Sequence, residues 1–203
     1  LGELTLPHVL AGWWGLGRKL ADGEPALAQQ IPGAALSPDG RAIAVLDCDT
    51  RRATLIDAAL LSVQRTVTLK AQAGWLDWLP FRAQVAHAKG PARGTDCHVT
   101  FSLDGRHLYA YGSKAEIGPD GKPRLNGLGL ELLDLGRGTI DARALPGEQL
   151  FYVLPSPDGS LYTFGRSATN TAWKLSLLDG SSLKVLAERT VPGYSQYWLT
   201  PAS

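Results

Sequence analysis

A four-residue turn that occurs three times constrains the fold of this 203-residue chain more than any other sequence feature. Pro presets the backbone for the second position of a type I turn, Asp favours the third position, and Gly adopts the left-handed conformation that closes a short hairpin loop. Each copy is therefore predicted to join two antiparallel strands. The three copies are Ser37-Pro38-Asp39-Gly40, Ser102-Leu103-Asp104-Gly105 and Ser156-Pro157-Asp158-Gly159.

Short runs rich in β-branched and aromatic residues flank each turn, and such runs are typical of strands. They lie at residues 34–36 and 42–46, 98–101 and 107–111, and 151–154 and 161–164. A second landmark, two apolar residues followed by Asp, marks the predicted end of a third strand at Asp57, Asp134 and Asp179. Fourth strands are predicted at residues 63–69, 139–145 and 183–191.

The spacing between these landmarks is regular, with 24 residues from Asp134 to Asp158. Units of roughly 45 to 55 residues with four short strands are typical of β-propeller blades. The units resemble those of WD-repeat-like and YVTN-type bacterial propellers, in which a Ser-Pro-Asp-Gly-Arg turn follows the innermost strand. The second copy departs from that pattern, with Leu103 in place of Pro, and no unit has a Trp-Asp dipeptide at its third strand. The resemblance implies an all-β fold of four-stranded antiparallel blades and is silent about activity.

The N-terminal residues are expected to form part of a further blade. Residues 15–23 align with residues 172–180, a fourth strand is predicted at residues 25–31, and an earlier strand is predicted at residues 4–10. Residues 194–200 have the pattern of an innermost strand. We therefore expect one propeller domain over residues 1–203, with three complete blades plus a split or partial blade.

Two arrangements fit these partial elements. Either both ends share one blade in a small four-bladed ring, or the chain is a piece of a ring of six to eight blades. We favour the larger ring, because blades that resemble these usually occur in larger rings. The chain begins at Leu1 and contains no Met, so we expect it to be processed, excised from a longer protein or incomplete.

Two insertions, at residues 70–95 and 113–126, interrupt the regular spacing. The first joins an outer strand to the next innermost strand, and the second joins a second strand to a third, so both are predicted to emerge at one face of the propeller. The second contains a Pro-Asp-Gly turn at residues 119–121 and is predicted to form a protruding hairpin. Because rigid scaffolds present functional loops, this face is the predicted binding surface.

The predicted partner at this face is another protein or protein complex. Aromatic residues and Arg are enriched at the energetically dominant positions of protein interfaces, and the first insertion contains both. The alternative is that Trp75 and Trp78 cover the end of the propeller as a local apolar cluster. The predicted interface residues are Trp75, Trp78, Phe81, Arg82, Lys89, Arg93, Lys114, Lys122 and Arg124.

Composition and site motifs narrow the function classes. The 20 basic and 19 acidic residues give a net charge of +1 without a basic run, which argues against a nucleic-acid partner. No apolar stretch reaches the roughly 18 to 20 residues that span a bilayer. The four His are scattered along the chain, so they do not suggest a metal site. The calcium-loop pattern is absent around Asp47, Asp49 and Asp57. The Gly-rich run at residues 12–17 does not have the glycine spacing of a nucleotide-binding loop. We therefore predict no catalytic residues, no metal site and no cofactor.

These observations lead to two hypotheses of different classes. The first is a noncatalytic propeller scaffold that mediates protein–protein interaction as a subunit of a larger complex. The alternative is an extracytoplasmic propeller enzyme or small-ligand binder, since propellers resembling this one include lactonases and quinone-linked dehydrogenase subunits with sites at the central channel. The predicted channel ends of the innermost strands are mainly apolar, which disfavours the alternative.

Cys48 and Cys97 are the two cysteines of the chain. In the blade arrangement Cys48 ends a second strand and Cys97 begins the innermost strand of the next blade, so both are expected near the face with the insertions. Two unpaired thiols and a disulfide both fit this placement, whereas a metal site lacks further ligands. A disulfide would imply an oxidising compartment, and on that basis we predict an extracytoplasmic location, periplasmic or secreted.

Overall fold

A computed structural model describes residues 3–6, 9–20, 23, 25–71, 84–85, 93–167, 169 and 172–191. All regular secondary structure in these residues is β-strand, and they include no helix of the length and apolarity that a membrane crossing requires. The strands are β1 (Gly12–Lys19), β2 (Pro25–Ile31), β3 (Gly33–Leu36), β4 (Ala42–Asp47), β5 (Arg52–Asp57), β6 (Ser62–Thr68), β7 (Lys70–Ala71), β8 (Gln84–Val85), β9 (Arg93–Phe101), β10 (His107–Ile117), β11 (Pro123–Asp134), β12 (Thr139–Ala144), β13 (Gln149–Pro155), β14 (Ser160–Arg166), β15 (Trp173–Asp179) and β16 (Val185–Val191).

Three groups of four consecutive strands form antiparallel blades. Blade 1 consists of β3 to β6, blade 2 of β9 to β12 and blade 3 of β13 to β16, and within each blade every strand pairs with the next one along the chain. The all-β fold and the four-stranded blades predicted from the sequence are confirmed.

The recurring turn joins the first two strands of each blade. In blade 1 the Ser37 hydroxyl donates to Asp39 Oδ1 at 2.6 Å and accepts from the Ala42 amide at 2.9 Å. The Asp39 carboxylate also accepts from the Arg41 amide, and Gly40 has a φ of 72°, which only Gly adopts at little cost. Blade 2 repeats the same side-chain bonds. The side chains of the motif therefore fix the turn, as the sequence predicts.

The Asp that ends each third strand fixes the turn to the fourth. Asp57 Oδ1 accepts from the amides of Ala59 and Leu60, at 3.0 and 2.9 Å. Asp134 Oδ1 accepts from the Arg137 amide at 2.8 Å, and Asp179 makes equivalent bonds in blade 3. An Asp that accepts from amides two and three residues ahead stabilises a turn, so these carboxylates have a structural role.

Each blade presents two faces, because alternate residues of a strand point to opposite sides of a sheet. In blades 1 and 2 we call the side toward the next blade along the chain the front face. In blade 3 the front face is the side that points away from blade 2, and in every blade the opposite side is the back face. The front-face residues are Ala44, Leu46, Ala53 and Leu55 in blade 1, Tyr109, Tyr111, Leu130 and Leu132 in blade 2, and Tyr152, Leu154, Tyr162, Phe164, Leu175 and Leu177 in blade 3. The back-face residues are Leu36, Ile43, Val45 and Ile56 in blade 1, Leu108, Ala110 and Leu133 in blade 2, and Leu161, Thr163 and Leu178 in blade 3.

The blades are stacked front to back. The front face of blade 1 and the back face of blade 2 form one buried cluster, and the front face of blade 2 packs with Leu161 and Leu178 of blade 3 in a second. The buried Tyr109 hydroxyl donates to the Gly180 carbonyl at 2.9 Å across the second junction. Stacked four-stranded sheets with adjacent innermost strands are the arrangement of propeller blades. The fold is that of a β-propeller.

The N-terminal hairpin has the two strands predicted for a partial blade but joins the sheet of blade 2. β2 pairs in parallel with β9, from Ala28 opposite Arg93 to Ile31 opposite Asp96. Gly94 permits this approach, because a Cβ at that position would overlap the backbone of β2. The strand predicted at residues 4–10 is wrong for the described residues 3–6 and 9–10, which lie outside strands. Residues 194–200 lie outside the described residues, so the arrangement of the ring stays a prediction.

Candidate functional site

Strands β10 and β11 are much longer than their equivalents in blade 1. They have 11 and 12 residues, whereas β4 and β5 have 6 each. The added residues pair as a hairpin, from Ser113 opposite Gly127 to Ile117 opposite Pro123, and its turn is closed by an amide bond from Gly118 to the Lys122 carbonyl at 2.8 Å. The structure thus has a hairpin at the second insertion, where the sequence predicts one.

A β-bulge at Gly112 starts this extension. The register of β10 against β11 shifts between Gly112 and Ser113, and Gly112 has a φ of 137°. A Cβ at this position would overlap the Asp96 carbonyl of β9. Glycine is therefore required here, and the bulge redirects the strands as bulges near functional sites often do.

Backbone pairing joins the two insertions. β8 of the first insertion pairs antiparallel with β11, with Val85 opposite Arg124 and Gln84 opposite Leu125. β7, where the first insertion begins, pairs in parallel with β12 of blade 2. We call residues 84–85, 93–96 and 113–126 the rim. The rim is one β-structure that both insertions build on blade 2.

The structure describes four of the predicted interface residues, and all four lie on the rim. Trp75, Trp78, Phe81, Arg82 and Lys89 lie outside the described residues. Arg93 begins β9, Lys114 is on β10, Lys122 is in the hairpin turn and Arg124 is on β11. Residues far apart in the sequence are thus gathered on one projection, and their role in binding a protein stays a prediction.

Carboxylates accompany the basic residues of the rim. Lys114 Nζ lies 3.5 Å from Glu116 and 4.0 Å from Asp49 of blade 1. The Arg124 guanidinium lies 3.7 Å from Asp120. The rim therefore has mixed charge, which the sequence prediction of a basic and aromatic surface did not include.

Two contacts tie the base of the rim to blade 1. The Thr95 hydroxyl donates to Asp49 Oδ1 at 2.7 Å, and Thr95 is buried. Cys48 and Cys97 are bonded in the structure, with their Cα atoms 5.9 Å apart and Cys97 buried between blades 1 and 2. Both contacts fix the rim relative to the neighbouring blade.

His98 and Asp96 form an ionisable pair on β9. His98 Nε2 lies 3.3 Å from Asp96 Oδ1, and the imidazole stacks on Tyr111 with ring centroids 5.4 Å apart. The Asp96 carboxylate raises the pKa of His98 more than burial lowers it. Sequence reasoning missed this pair, although residues two apart in a strand share a face and could have indicated it.

A cavity of about 600 Å³ is lined by residues of blades 1 and 2 and of the rim. Its size and mainly apolar walls are typical of small-ligand sites. Asn126 lines it with a buried Oδ1 that accepts no hydrogen bond in the structure. The sequence did not indicate this cavity, because residues of two blades form it. The main lining residues are Leu46, Leu69, Tyr111, Leu130 and Leu133, with the polar groups of Lys114, Glu116, Asn126, Glu131 and Arg143.

One cluster among the described residues has ligand types that suit a metal ion, namely His107, Asp134 and Asp141. Arg137 Nε donates to Asp134 Oδ2 at 2.7 Å, and the same guanidinium donates to Asp141. One guanidinium thus already pairs with both carboxylates. The cluster is an ion-pair network that holds the turn between β11 and β12.

The comparisons with known proteins add no family. No family model matches the chain, and no curated protein matches it. One similar solved structure is the Dos1 propeller, with 14% identity and a TM-score of 0.48 over 84% of this chain and 40% of that one. Another is the Cps50 (Swd1) β-propeller domain of Myceliophteria thermophila, with 12% identity and a TM-score of 0.43 over 85% of this chain and 40% of that one. A third is the dihydro-heme d1 dehydrogenase NirN, with 12% identity and a TM-score of 0.43 over 86% of this chain and 32% of that one. The chain spans 40% or less of these structures, and at such TM-scores the likeness carries no conclusion about function.

Proposed function

We propose that this chain is a noncatalytic β-propeller scaffold of the WD-repeat-like or YVTN type that binds another protein through the rim, as a subunit of a larger complex. The observation that carries the proposal is the pairing of β8 with β11, which joins two insertions into one ordered projection. Projections from a rigid scaffold are where binding residues are concentrated.

The base of the rim is held in place before any partner binds. Thr95 is hydrogen-bonded to Asp49 of blade 1, and the bonded Cys97 lies two residues further along β9. A preorganised surface loses less conformational entropy on binding than a flexible loop. Less of the interaction energy at the rim is therefore needed to offset the ordering of the surface, and the affinity for a partner is higher.

The side chains of the rim suit a protein surface of mixed polarity. Arg93 and Lys122 are exposed cations, and Glu116 and Asp120 are exposed carboxylates on the same hairpin as Lys122. Carboxylates repel a phosphate backbone, whereas protein interfaces match charges of both signs around an apolar centre. These properties favour a protein partner over a nucleic acid.

The titratable groups also favour a scaffold. Several carboxylates have lowered pKa values, and in each case the largest cause is a hydrogen bond within the residue's own turn. These groups hold hairpins in three different blades instead of meeting at one site. They are Asp39, Asp57, Asp104, Asp134, Asp158 and Asp179.

We propose an extracytoplasmic location for this scaffold. The support is the bond between Cys48 and Cys97, since disulfides persist in oxidising compartments and are rare in the cytosol. A disulfide between two blades would stay oxidised, and so keep the two blades linked, in a compartment without reducing thiols.

Charge reversal on the rim tests the proposed docking surface. The tagged chain is purified from its native host in the wild-type form, as Arg93→Glu with Lys122→Glu, and as the matched control Lys184→Glu, an exposed cation in a turn of blade 3. Quantitative mass spectrometry should show at least one partner depleted about tenfold by the rim variant and unchanged by the control. Equal recovery of all partners with both variants would overturn the proposal.

A second candidate function, binding of a small apolar ligand, is favoured by the cavity beside the rim. The leucines that line the cavity would enclose the apolar body of such a ligand, and the polar side chains that also line it would fix its orientation. This site lies beside the rim and not at the central channel. Native mass spectrometry distinguishes the two candidates, because a retained ligand adds a mass that denaturation releases and that rim charge reversal leaves in place.

A further inference from the structure

A second cavity, of about 360 Å³, is lined by the N-terminal hairpin, by the turn between β4 and β5 of blade 1 and by the start of β9. Its volume lies within the roughly 300 to 1,000 Å³ of pockets that hold small molecules. It shares no described lining residue with the larger cavity. The two cavities are therefore separate sites.

Strand pairing in the hairpin decides which side chains reach this cavity. Trp14 of β1 lies opposite Ala28 of β2, and both line the cavity, as does Gln30 two residues further along β2. Trp13 and Gln29 also lie opposite each other and are absent from the lining. Because alternate residues of a strand point to opposite faces, each pair of neighbours has one member in the cavity wall and one on the other face.

Gln30 is a buried polar side chain that lines the cavity without a partner. It is 5% exposed, and its amide hydrogen-bonds to no other described residue. A buried amide that lacks its hydrogen bonds costs roughly 1 to 3 kcal/mol. A molecule in the cavity with both donors and acceptors would satisfy this amide, which can donate and accept.

The charged groups around the cavity balance one another. The Asp47 carboxylate is buried, and its Oδ1 accepts from the amides of Asp49 and Thr50 at 3.0 and 3.1 Å. Arg93 lines the cavity together with both carboxylates, and Lys114 Nζ lies 4.0 Å from Asp49 Oδ1. Two carboxylates and two cations leave the site without net charge. It therefore favours an uncharged polar ligand over an ion.

The mixture of donors and acceptors narrows the ligand further. Carboxylates only accept hydrogen bonds, a guanidinium only donates them, and the Thr50 hydroxyl and the Gln30 amide do both. Ligand hydroxyls match such a wall, because each one donates and accepts. Trp14 adds an indole that is 38% exposed, and an aromatic ring offers a flat apolar surface. A sugar ring combines several hydroxyls with an apolar C–H face.

We propose that this cavity binds a neutral saccharide, either a monosaccharide or the end unit of a longer glycan. The C–H face of the sugar stacks on Trp14, and its hydroxyls hydrogen-bond to Gln30 and Asp47. The carboxylate accepts further bonds in addition to those from its own turn, because its two oxygens offer about four acceptor sites. The site binds the sugar and requires no reaction.

This inference goes beyond the proposed function and does not rest on it. Trp14 and Gln30 lie outside the rim, whereas Arg93 belongs to both sites, so Arg93 is left unchanged in the test. Gln30→Leu should lose sugar binding and still recover the rim partners. Loss of one property without the other therefore separates the failure of this proposal from the failure of the proposed function.

The experiment begins with the purified chain on an immobilised array of neutral glycans that covers the common hexoses, deoxyhexoses, pentoses and N-acetylhexosamines. The free sugar that binds best is then titrated by calorimetry. Trp14→Ala and Gln30→Leu should each weaken binding about tenfold, because one removes the stacking surface and the other the hydrogen bonds. Trp13→Ala and Gln29→Leu are the matched controls and should bind as the wild type does.

A comparison of salt and probe tests the chemical class of the ligand. Sugar binding should be insensitive to added salt, since the proposed ligand is uncharged. Choline, a cation that stacks on indoles, is the competing probe and should not bind. If Trp14→Ala does not fold, Thr50→Val removes a hydroxyl of the cavity from the other wall and replaces it. An array without bound glycan, choline binding in place of sugar, or equal losses in the Trp13 and Trp14 variants would each overturn the proposal.

Discussion

Blades 2 and 3 have the same strand pattern and turn chemistry but different environments. Leu130 and Leu175 occupy equivalent positions, four residues before the Asp that ends the third strand, yet Leu130 is 1% exposed and Leu175 is 42% exposed. Local sequence therefore determines the strand, the turn and the direction of the side chain. Burial depends on whether another blade covers that face.

The two junctions between the blades also differ. Blades 1 and 2 are joined by the Cys48–Cys97 bond and the hydrogen bond from Thr95 to Asp49 in addition to apolar packing. Blades 2 and 3 are joined by apolar packing and the hydrogen bond from Tyr109 to Gly180. The first junction is fixed by a covalent bond and the second by noncovalent contacts, so the two should respond differently to reduction and to truncation of a core side chain.

The largest expected effect concerns the covalent junction. The disulfide closes a loop with a sequence separation of 49 residues. In the chain-entropy model its loss lowers the free energy of unfolding by about 4 kcal/mol. Urea unfolding of the wild type with and without reductant, and of the Cys48→Ser, Cys97→Ser double variant, should show this difference.

The double variant is also the control for the reductant. Its urea midpoint should be the same in reducing and non-reducing buffer, since the chain contains no other Cys. Thiol titration of the denatured, unreduced wild type should find no free thiol. Two free thiols would show that the junction is not covalent and would remove the contrast between the junctions.

The second effect compares the equivalent leucines. Leu130→Ala should lower the free energy of unfolding by about 3 kcal/mol, because it leaves a cavity between two packed blades. Leu175→Ala should lower it by less than about 1 kcal/mol when the chain is dilute and monomeric, because that side chain is already in contact with water. Urea unfolding of both variants measures the difference.

A result with equal losses for the two variants would contradict the comparison. It would mean that something covers the front face of blade 3 even in the dilute chain. A loss at Leu175 that grows with protein concentration would instead link the stability of blade 3 to association, as mass action requires.

The parts of the fold that follow from local chemistry could be predicted from the sequence. The Ser-Pro-Asp-Gly turn of blade 1 is held by bonds within six residues, from Ser37 to Ala42, so the sequence contains all of its causes. The parallel pairing of β2 with β9 could not be predicted, because it joins residues more than 60 positions apart. The residue in the sequence that reflects this pairing is Gly94, where a side chain would block the approach of β2. A glycine alone does not identify the strand that approaches it.

The same limit applies to the candidate site. The sequence predicted that two insertions share a face, and the pairing of Arg124 with Val85 brings them together. It did not predict that Lys114 would lie near Asp49, because that contact crosses from one blade to another. Charge pairing and the cavity are properties of the assembled blades, and a single sequence carries no direct record of which blade lies beside which insertion.

The smallest expected effect compares the turns that follow the third strands of blades 2 and 3. The Asp134 carboxylate of blade 2 accepts from the amide and the guanidinium of Arg137, which lower its pKa. Asp179 of blade 3 accepts from the hydroxyls and amides of Ser181 and Ser182, which lower its pKa to about 2. Neutral donors are insensitive to salt, so added salt should raise the pKa of Asp134 and leave that of Asp179 unchanged.

The lowered pKa of Asp179 sets the sign of its pH dependence. The unfolded chain has the ordinary Asp value of 3.8, so the folded state is favoured above that pH and the contribution is lost as the pH falls through about 2. The difference in urea midpoint between the wild type and Asp179→Asn should therefore be constant from neutral pH to about pH 5 and shrink below about pH 4. A carboxyl titration by NMR that gives Asp179 a pKa near 3.8, or a midpoint difference that widens in acid, would show that the serine donors do not stabilise the charged form. Blades 2 and 3 would then differ only in whether another blade covers their front face.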